Sequence, residues 1–215
     1  DNILLGQTGK ITLGKSIILY EQILLDEFSL SHIRSNDGWW ANKFGIQAGI
    51  KAYDLLNIEN LFIQGELNTA RPYTYSHINS LRSYSHYNQA LAHPAGANFQ
   101  EILGIVRYNY DRIFAELKIV RAQYGEDSSD SNWGKNILKP YTTREMEFGN
   151  KTLQGVKSDL TDISLTLSYL INPRYMHNFF VSFTKRHYTK TNINSETNFL
   201  MFGFRTSMRN NYYDY

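Results

Sequence analysis

The sequence predicts an all-β protein, a transmembrane antiparallel up-and-down β-barrel of about nine strands, and three observations carry that prediction. Apolar residues recur at every second position over long stretches. The links between those stretches alternate between short and long. Aromatic side chains make up 14% of the chain, with 16 Tyr and 12 Phe, and large rings suit pleated, half-buried surfaces and membrane–water boundaries.

The first strand is expected over residues 2–12. The second, over 16–28, is the weakest, because Ile17, Ile18 and Leu19 followed by Ile23, Leu24 and Leu25 put apolar groups on both faces and leave a helix as the alternative. Alternation is clearest over 44–53, where Phe44, Ile46, Ala48, Ile50 and Ala52 oppose Gln47, Gly49 and Lys51. The fourth strand sets Leu61, Ile63, Gly65 and Leu67 against Gln64, Glu66 and Asn68. A fifth is expected over 99–110. The sixth, over 113–121, sets Ile113, Ala115, Leu117 and Ile119 against Glu116 and Lys118. In 160–171 the apolar set is Ile163, Leu165, Leu167, Tyr169 and Ile171, facing away from Asp162, Ser164, Thr166 and Ser168. Two further strands are expected over 175–187 and 197–208.

Short links fall at 13–15, 54–59, 111–112 and 172–173, each with turn-compatible residues. Long links fall at 29–42, 71–98 and 125–156, with a shorter one at 188–196. Outer-membrane barrels pair tight periplasmic turns with long outer loops in this way. That topology sets Tyr215 on the inner side and starts Asp1 on the outer side, so residues 1–215 are expected to form one domain, the C-terminal portion of a larger barrel with upstream strands missing.

Composition narrows the function classes. The 215 residues are 42% hydrophobic and 20% charged, and the formal net charge of +2 is spread over interspersed side chains. This gives no basic stripe for nucleic acid. The chain has no Cys, which excludes a disulfide scaffold and thiolate chemistry. No window approaches the roughly 18 to 20 consecutive apolar residues of a membrane-spanning helix, so a chain that crosses a bilayer here does so as strands. Apolar faces then meet lipid, and Lys51, Glu66, Arg107, Glu116, Lys118 and Asp162 meet a polar lumen. Tyr53, Tyr108, Tyr110, Tyr124, Tyr169, Tyr175, Tyr212, Tyr213 and Tyr215 near strand ends suit an aromatic girdle. The alternative is a soluble β core packed by the same rings.

The long loops carry the candidate chemistry. Within 71–98, Arg71, Tyr73, Tyr75, His77, Tyr84, His86, Tyr87, Asn88, Gln89, His93 and Asn98 mix planar rings with amide and imidazole groups. That mixture can take a sugar, whose C–H faces stack on rings while its hydroxyls find polar partners. The bland alternative is that the rings pack the loop itself. Trp39 and Trp40 suit an interface anchor, loop packing or a glycan platform. The 125–156 loop is polar, and Asp127 and Asp130 offer oxygens for calcium, although the spacing is not that of an EF-hand and a solvated loop is favoured. The three His match no compact metal motif, so no metal and no cofactor is expected. His177 and Ser182 fall on opposite faces of one strand, and no Ser-His-acid constellation is assembled, so an enzyme is not expected.

At DEFSLSHIRSNDGWWANKFGIQAG (Asp26 to Gly49), ARPYTYSH (Ala70 to His77) and HYNQALAHPAGANFQE (His86 to Glu101), the chain resembles the Wzi-type capsule assembly proteins. Within that family it is most similar to the gliding motility protein RemB group. The family is much longer, so the resemblance covers only its C-terminal part. It implies an outer-membrane barrel, with outer-membrane lipid around it, that helps retain surface polysaccharide or supports gliding motility. Two other roles stay open: an interaction subunit docking other outer-membrane, motility or secretion proteins, and a porin-like channel.

Overall fold

The computed structural model describes residues 3–206. Its strands are β1 (Leu5–Leu13), β2 (Ile17–Glu27), β3 (Lys43–Tyr53), β4 (Leu61–Ala70), β5 (Ser85–His86), β6 (Gln89–Ala90), β7 (Phe99–Tyr110), β8 (Ile113–Glu126), β9 (Val156–Asn172), β10 (His177–Lys190) and β11 (Ile193–Arg205). All but β5 and β6 belong to one nine-stranded sheet, antiparallel throughout, ordered β1-β2-β3-β4-β7-β8-β9-β10-β11. β5 and β6 form a separate small hairpin. The sheet is an up-and-down meander, and among the described residues it stays open, with one free edge on β1 and one on β11.

The registers show why alternation dictates this sheet. Leu13, Ile17, Ala52, Ile63, Val106, Leu117, Leu165, Phe183 and Leu200 stand side by side, one from each strand, as an unbroken apolar row. Slipping any strand by one residue would turn its whole set to the other face. On the opposite face a parallel row runs Thr8, Gln22, Gln47, Asn68, Glu101, Ala122, Leu160, Tyr188 and Ser195. The apolar face is the open one: Leu167 is 50% exposed, whereas Asn68 on the polar face is 6% exposed.

The polar face is knitted by side chains. The Tyr20 ring crosses Gly49, where an added Cβ would fall 2.2 Å from it, and its hydroxyl donates to Glu66. Asn68 Nδ2 donates to Glu66 at 2.9 Å and to Glu101 at 3.1 Å. Arg107 pairs with Glu116, and Glu126 accepts from Ser158 at 2.6 Å, Tyr188 at 2.7 Å and Lys190. Glu21 breaks the pattern on the apolar face, as Asp159 and Glu196 do nearer the looped end. Glu21 folds over Gly9, and its Oε2 is buried without a partner.

The 16–28 stretch is the strand expected there and not the alternative helix; Leu24 is apolar on the polar face because it packs against the loop cluster around Tyr75 and Phe99. Other expectations need correction. The 188–196 link does not exist. β10 runs to Lys190, β11 starts at Ile193, and Asn192 turns the chain at φ 64°. Lys185 and Glu196 pair at 2.8 Å across that extension, so residues polar enough to suggest a loop instead prolong two strands. Sides still alternate, but the length alternation fails at this last pair. Tyr53 and Tyr124 lie on the polar face, by register with Phe62 and Phe99. Tyr108, Tyr110 and Tyr169 lie on the apolar face at the short-turn end. Tyr212, Tyr213 and Tyr215, and the ends of the 2–12 and 197–208 expectations, lie outside the described residues.

Candidate binding site in the loop canopy

The best-buried core of this protein sits in the loops. Residues 28–42, 71–98 and 127–155 all leave the same end of the sheet and fold against one another as a canopy. One cluster joins Ala70, Tyr75, Ala97, Phe99 and Ile137; another joins Trp40, Ala41 and Tyr73. Between them Lys43, wholly buried, sits 3.1 Å from Asp26 and donates to the Ser76 carbonyl at 3.3 Å. Its ammonium also faces the Trp40 and Tyr141 rings at 5.9 and 5.0 Å.

The expected glycan-facing residues divide into two groups. Tyr73, Tyr75, His77, Asn98 and Trp40 are buried and hold the canopy together. Tyr73 donates to the Asn132 carbonyl at 2.8 Å, and Tyr75 N donates to Asp26 at 2.8 Å. Both tyrosines adopt left-handed backbone, at φ 65° and 71°, a strain that only such fixed surroundings sustain. Gly134 packs so closely on Tyr73 that a Cβ would fall 2.4 Å from its backbone nitrogen. Asn98 Nδ2 donates to the carbonyls of Gly125 at 2.6 Å, Gln154 at 2.8 Å and Trp133 at 3.2 Å, while its Oδ1 accepts from Leu153 N at 2.7 Å. Arg71 lies over Phe44 and donates to the Asn150 carbonyl at 3.0 Å. Trp40 and Trp39 both donate to Glu147, at 3.0 and 3.2 Å, and Trp39 also stacks on His32. The rings and polar atoms of these residues close three long loops against one another, and Tyr75 also lines the cleft between the canopy and the sheet.

The second group remains available. Tyr84, His86, Tyr87, Asn88 and Gln89 are exposed on the β5–β6 hairpin, with Tyr87 at 88%. Tyr87 and Asn88 form its tip with φ 48° and 59°, the positive pair of a type I′ turn. Behind the hairpin lies a cleft of about 240 Å³ between the canopy and the polar face of the sheet. Gln22, Gln47 and Asn68 floor it, and Tyr84, Leu91 and His93 overhang it. His93 Nε2 lies 3.2 Å from Glu101.

The 127–155 loop is not the solvated spacer its composition suggested. Asn132, Ile137 and Gln154 are buried. Asp127 is not a cation cradle either, since its carboxylate accepts backbone N–H bonds from Trp133 at 2.6 Å, Asn136 at 2.9 Å and Lys135 at 3.4 Å. Lys135 itself reaches the Ala95 carbonyl and the Tyr124 ring, at 4.4 Å from the ring centroid. Burial pulls its ammonium down to about 8, against a smaller opposing pull from Glu126 and Asp127. Burial likewise pushes the Tyr73 and Tyr75 phenols up to about 12. Outside the canopy core, the bond from His32 holds Asp37 below the usual carboxylate range.

The three histidines are separated in their work. His77 packs edge-on to Tyr141, His86 meets Tyr87 at the hairpin, and His93 serves Glu101. Ser182 shares a 2.8 Å hydrogen bond with Thr166, and the His177 ring packs at Phe204. Sequence reasoning missed the Asp26–Lys43 pair and the roles of Asn132 and Glu147. It also missed α1 (Leu30–Ser35), a short helix inside the 28–42 loop. The hairpin did carry a signal, an Asn at the tip of a short polar run.

Comparison with protein-family models, with curated proteins and with solved structures returns no match. The functional reading therefore stands on the chain's own residues.

Proposed function

We propose that this protein is an outer-membrane β-barrel wall that binds or anchors surface polysaccharide at its looped end without catalysing a reaction. Capsule retention or support of gliding motility is the setting that the sequence resemblance implies. The observation that carries the reading is the apolar row running across all nine strands on the open face. A soluble sheet covers such a face with a second layer, and among the described residues none lies on it. The opposite face carries paired charges and amides, as a lumen wall does. In hydrocarbon the free edges of β1 and β11 need strand partners, supplied by their own closure or by further strands.

The looped end supports the glycan part of the reading. A canopy held by buried contacts presents exposed rings, imidazole and amides on a hairpin, beside a cleft lined by the same chemistry. Combined replacement of Tyr84, His86 and Tyr87 by Ala is expected to release polysaccharide from intact cells while the barrel stays folded in the membrane. Unchanged retention contradicts the glycan reading. A stable complex with other outer-membrane or motility proteins that ignores glycan would favour the docking role instead. Steady conductance in planar bilayers would favour a channel.

A further inference from the structure

The cleft, more than the hairpin tip, has the layout of a ligand subsite, and this inference rests on the glycan reading above. Its floor is a ladder of amides: Gln22 on β2, Gln47 on β3 and Asn68 on β4 stand directly opposite one another, and Glu101 on β7 continues the row. Adjacent strands lie about 4.8 Å apart, so successive amides meet successive polar groups of an extended molecule crossing the strands. Gln22 and Gln47 can each donate and accept, and Asn68, with its N–H bonds given to Glu66 and Glu101, accepts through its oxygen, a combination that suits hydroxyls. The overhang supplies the other half, with the exposed Tyr84 ring, Leu91 and His93 facing the ladder.

Charge separates the sugars this layout accepts. Neither Lys nor Arg lines the cleft. Two carboxylates stand beside its floor on the same face, Glu66 and Glu101, both held by the one Asn68 amide. Glu101 also engages His93 in the overhang. A sugar carboxylate placed on the ladder would meet these two like charges with no Lys or Arg among the lining side chains to offset them, the Lys118 ammonium already bearing on Glu101. A hydroxyl or an ammonium would find acceptors. The volume, about 240 Å³, falls below the roughly 300 Å³ at which drug-sized pockets begin, so the cleft accommodates a short stretch of chain and not a large branched unit.

We propose that the cleft over Gln22, Gln47 and Asn68 is a saccharide subsite selective for neutral or amino-bearing sugar units over uronic acids. The test uses the whole protein in nanodiscs, titrated with three tetramers: maltotetraose, a glucosamine tetramer and a galacturonate tetramer. The same protein is also titrated with polysaccharide extracted from its own cells.

The expected result is binding of one or both of the first two, with at least ten-fold weaker binding of the galacturonate. Gln22→Leu and Tyr84→Ala, at exposed positions, are expected to weaken binding at least ten-fold, and each by more than Tyr87→Ala at the hairpin tip does. Glu101→Gln should narrow the discrimination against galacturonate. Preferred binding of galacturonate overturns the proposal, and so does binding that survives Gln22→Leu but is lost in Tyr87→Ala; the glycan reading outlives that second result. If the cells' own polysaccharide and all three tetramers fail to bind, the glycan reading falls and the subsite with it.

Discussion

Lys43 Nζ lies 3.1 Å from Asp26 Oδ2, and both side chains are fully withdrawn from solvent. The pair joins the last residues of β2 to the first of β3, and Asp26 also takes the backbone N–H of Tyr75, so three segments meet on one carboxylate. Breaking a buried pair strands a charge at a cost of about 3 to 5 kcal/mol, whereas replacing both partners with apolar groups can be nearly neutral. Asp26→Ala should therefore loosen the canopy strongly, and Asp26→Leu combined with Lys43→Met should recover most of the loss. Near-UV circular dichroism of Trp39, Trp40 and Trp133 during thermal unfolding reads this directly. Equal damage from single and double variants would contradict the assignment.

Asn98 offers a sharper chemical test. Its amide donates to three carbonyls and accepts one backbone N–H. Asn98→Ala leaves buried groups unsatisfied at about 1 to 3 kcal/mol each. Asn98→Asp keeps the shape but turns an acceptor toward carbonyl oxygens, so it should be worse than Ala. Limited proteolysis of the 127–155 loop on intact cells should rank the variants wild type, Ala, Asp in rising sensitivity.

The canopy should have an alkaline optimum. Lys135 carries a folded pKa of about 8 against an ordinary 10.5, so between those values the unfolded chain holds a proton that the folded chain lacks. Stability then rises with pH through that window, by at most about 3 kcal/mol. Tyr73 and Tyr75 work the other way. Their folded values of about 12 exceed the ordinary 10, so the stability they lend is lost as pH climbs above 10. Unfolding of the canopy should show maximal stability near pH 10, and Lys135→Met should remove the rise below it. A flat profile from pH 8 to 10 in the wild type would refute the Lys135 assignment.

Leu165 stands within the apolar row, flanked by Leu117 and Phe183. Leu165→Lys should cost roughly 2 to 4 kcal/mol of membrane stability, the range for a midplane cation on a barrel's lipid face. Urea unfolding from lipid vesicles measures it. Full tolerance would mean that the side chain does not face hydrocarbon.

Much of the sheet was legible because alternation is local. β7 falls at the expected 99–110, and the opposed faces of β3, β4, β8 and β9 match the pattern of their own residues. Tyr53 shows where local cues mislead. Its parity with Gln47 and Lys51 already placed it on the polar face, but its position at a strand end suggested a girdle. The canopy was the illegible part. Residues far apart in sequence, such as Trp40 with Glu147 and Tyr73 with Asn132, meet only once the sheet brings three loops to one end. A ring that fills such a junction has the same sequence signature as a ring that awaits a sugar, so the 71–98 candidates could be sorted only by burial.

The central claim is that alternate residues face lipid and lumen, and the absence of native Cys makes its test clean. Single cysteines placed at Ile163, Ser164, Leu165, Thr166 and Leu167 would be probed in native membranes with a water-soluble maleimide and, separately, by quenching of an attached fluorophore with brominated lipid. The account predicts lipid quenching and slow aqueous labelling at 163, 165 and 167, with the reverse at 164 and 166. Equal aqueous labelling along all five positions, or lipid quenching at 164 and 166, would contradict it.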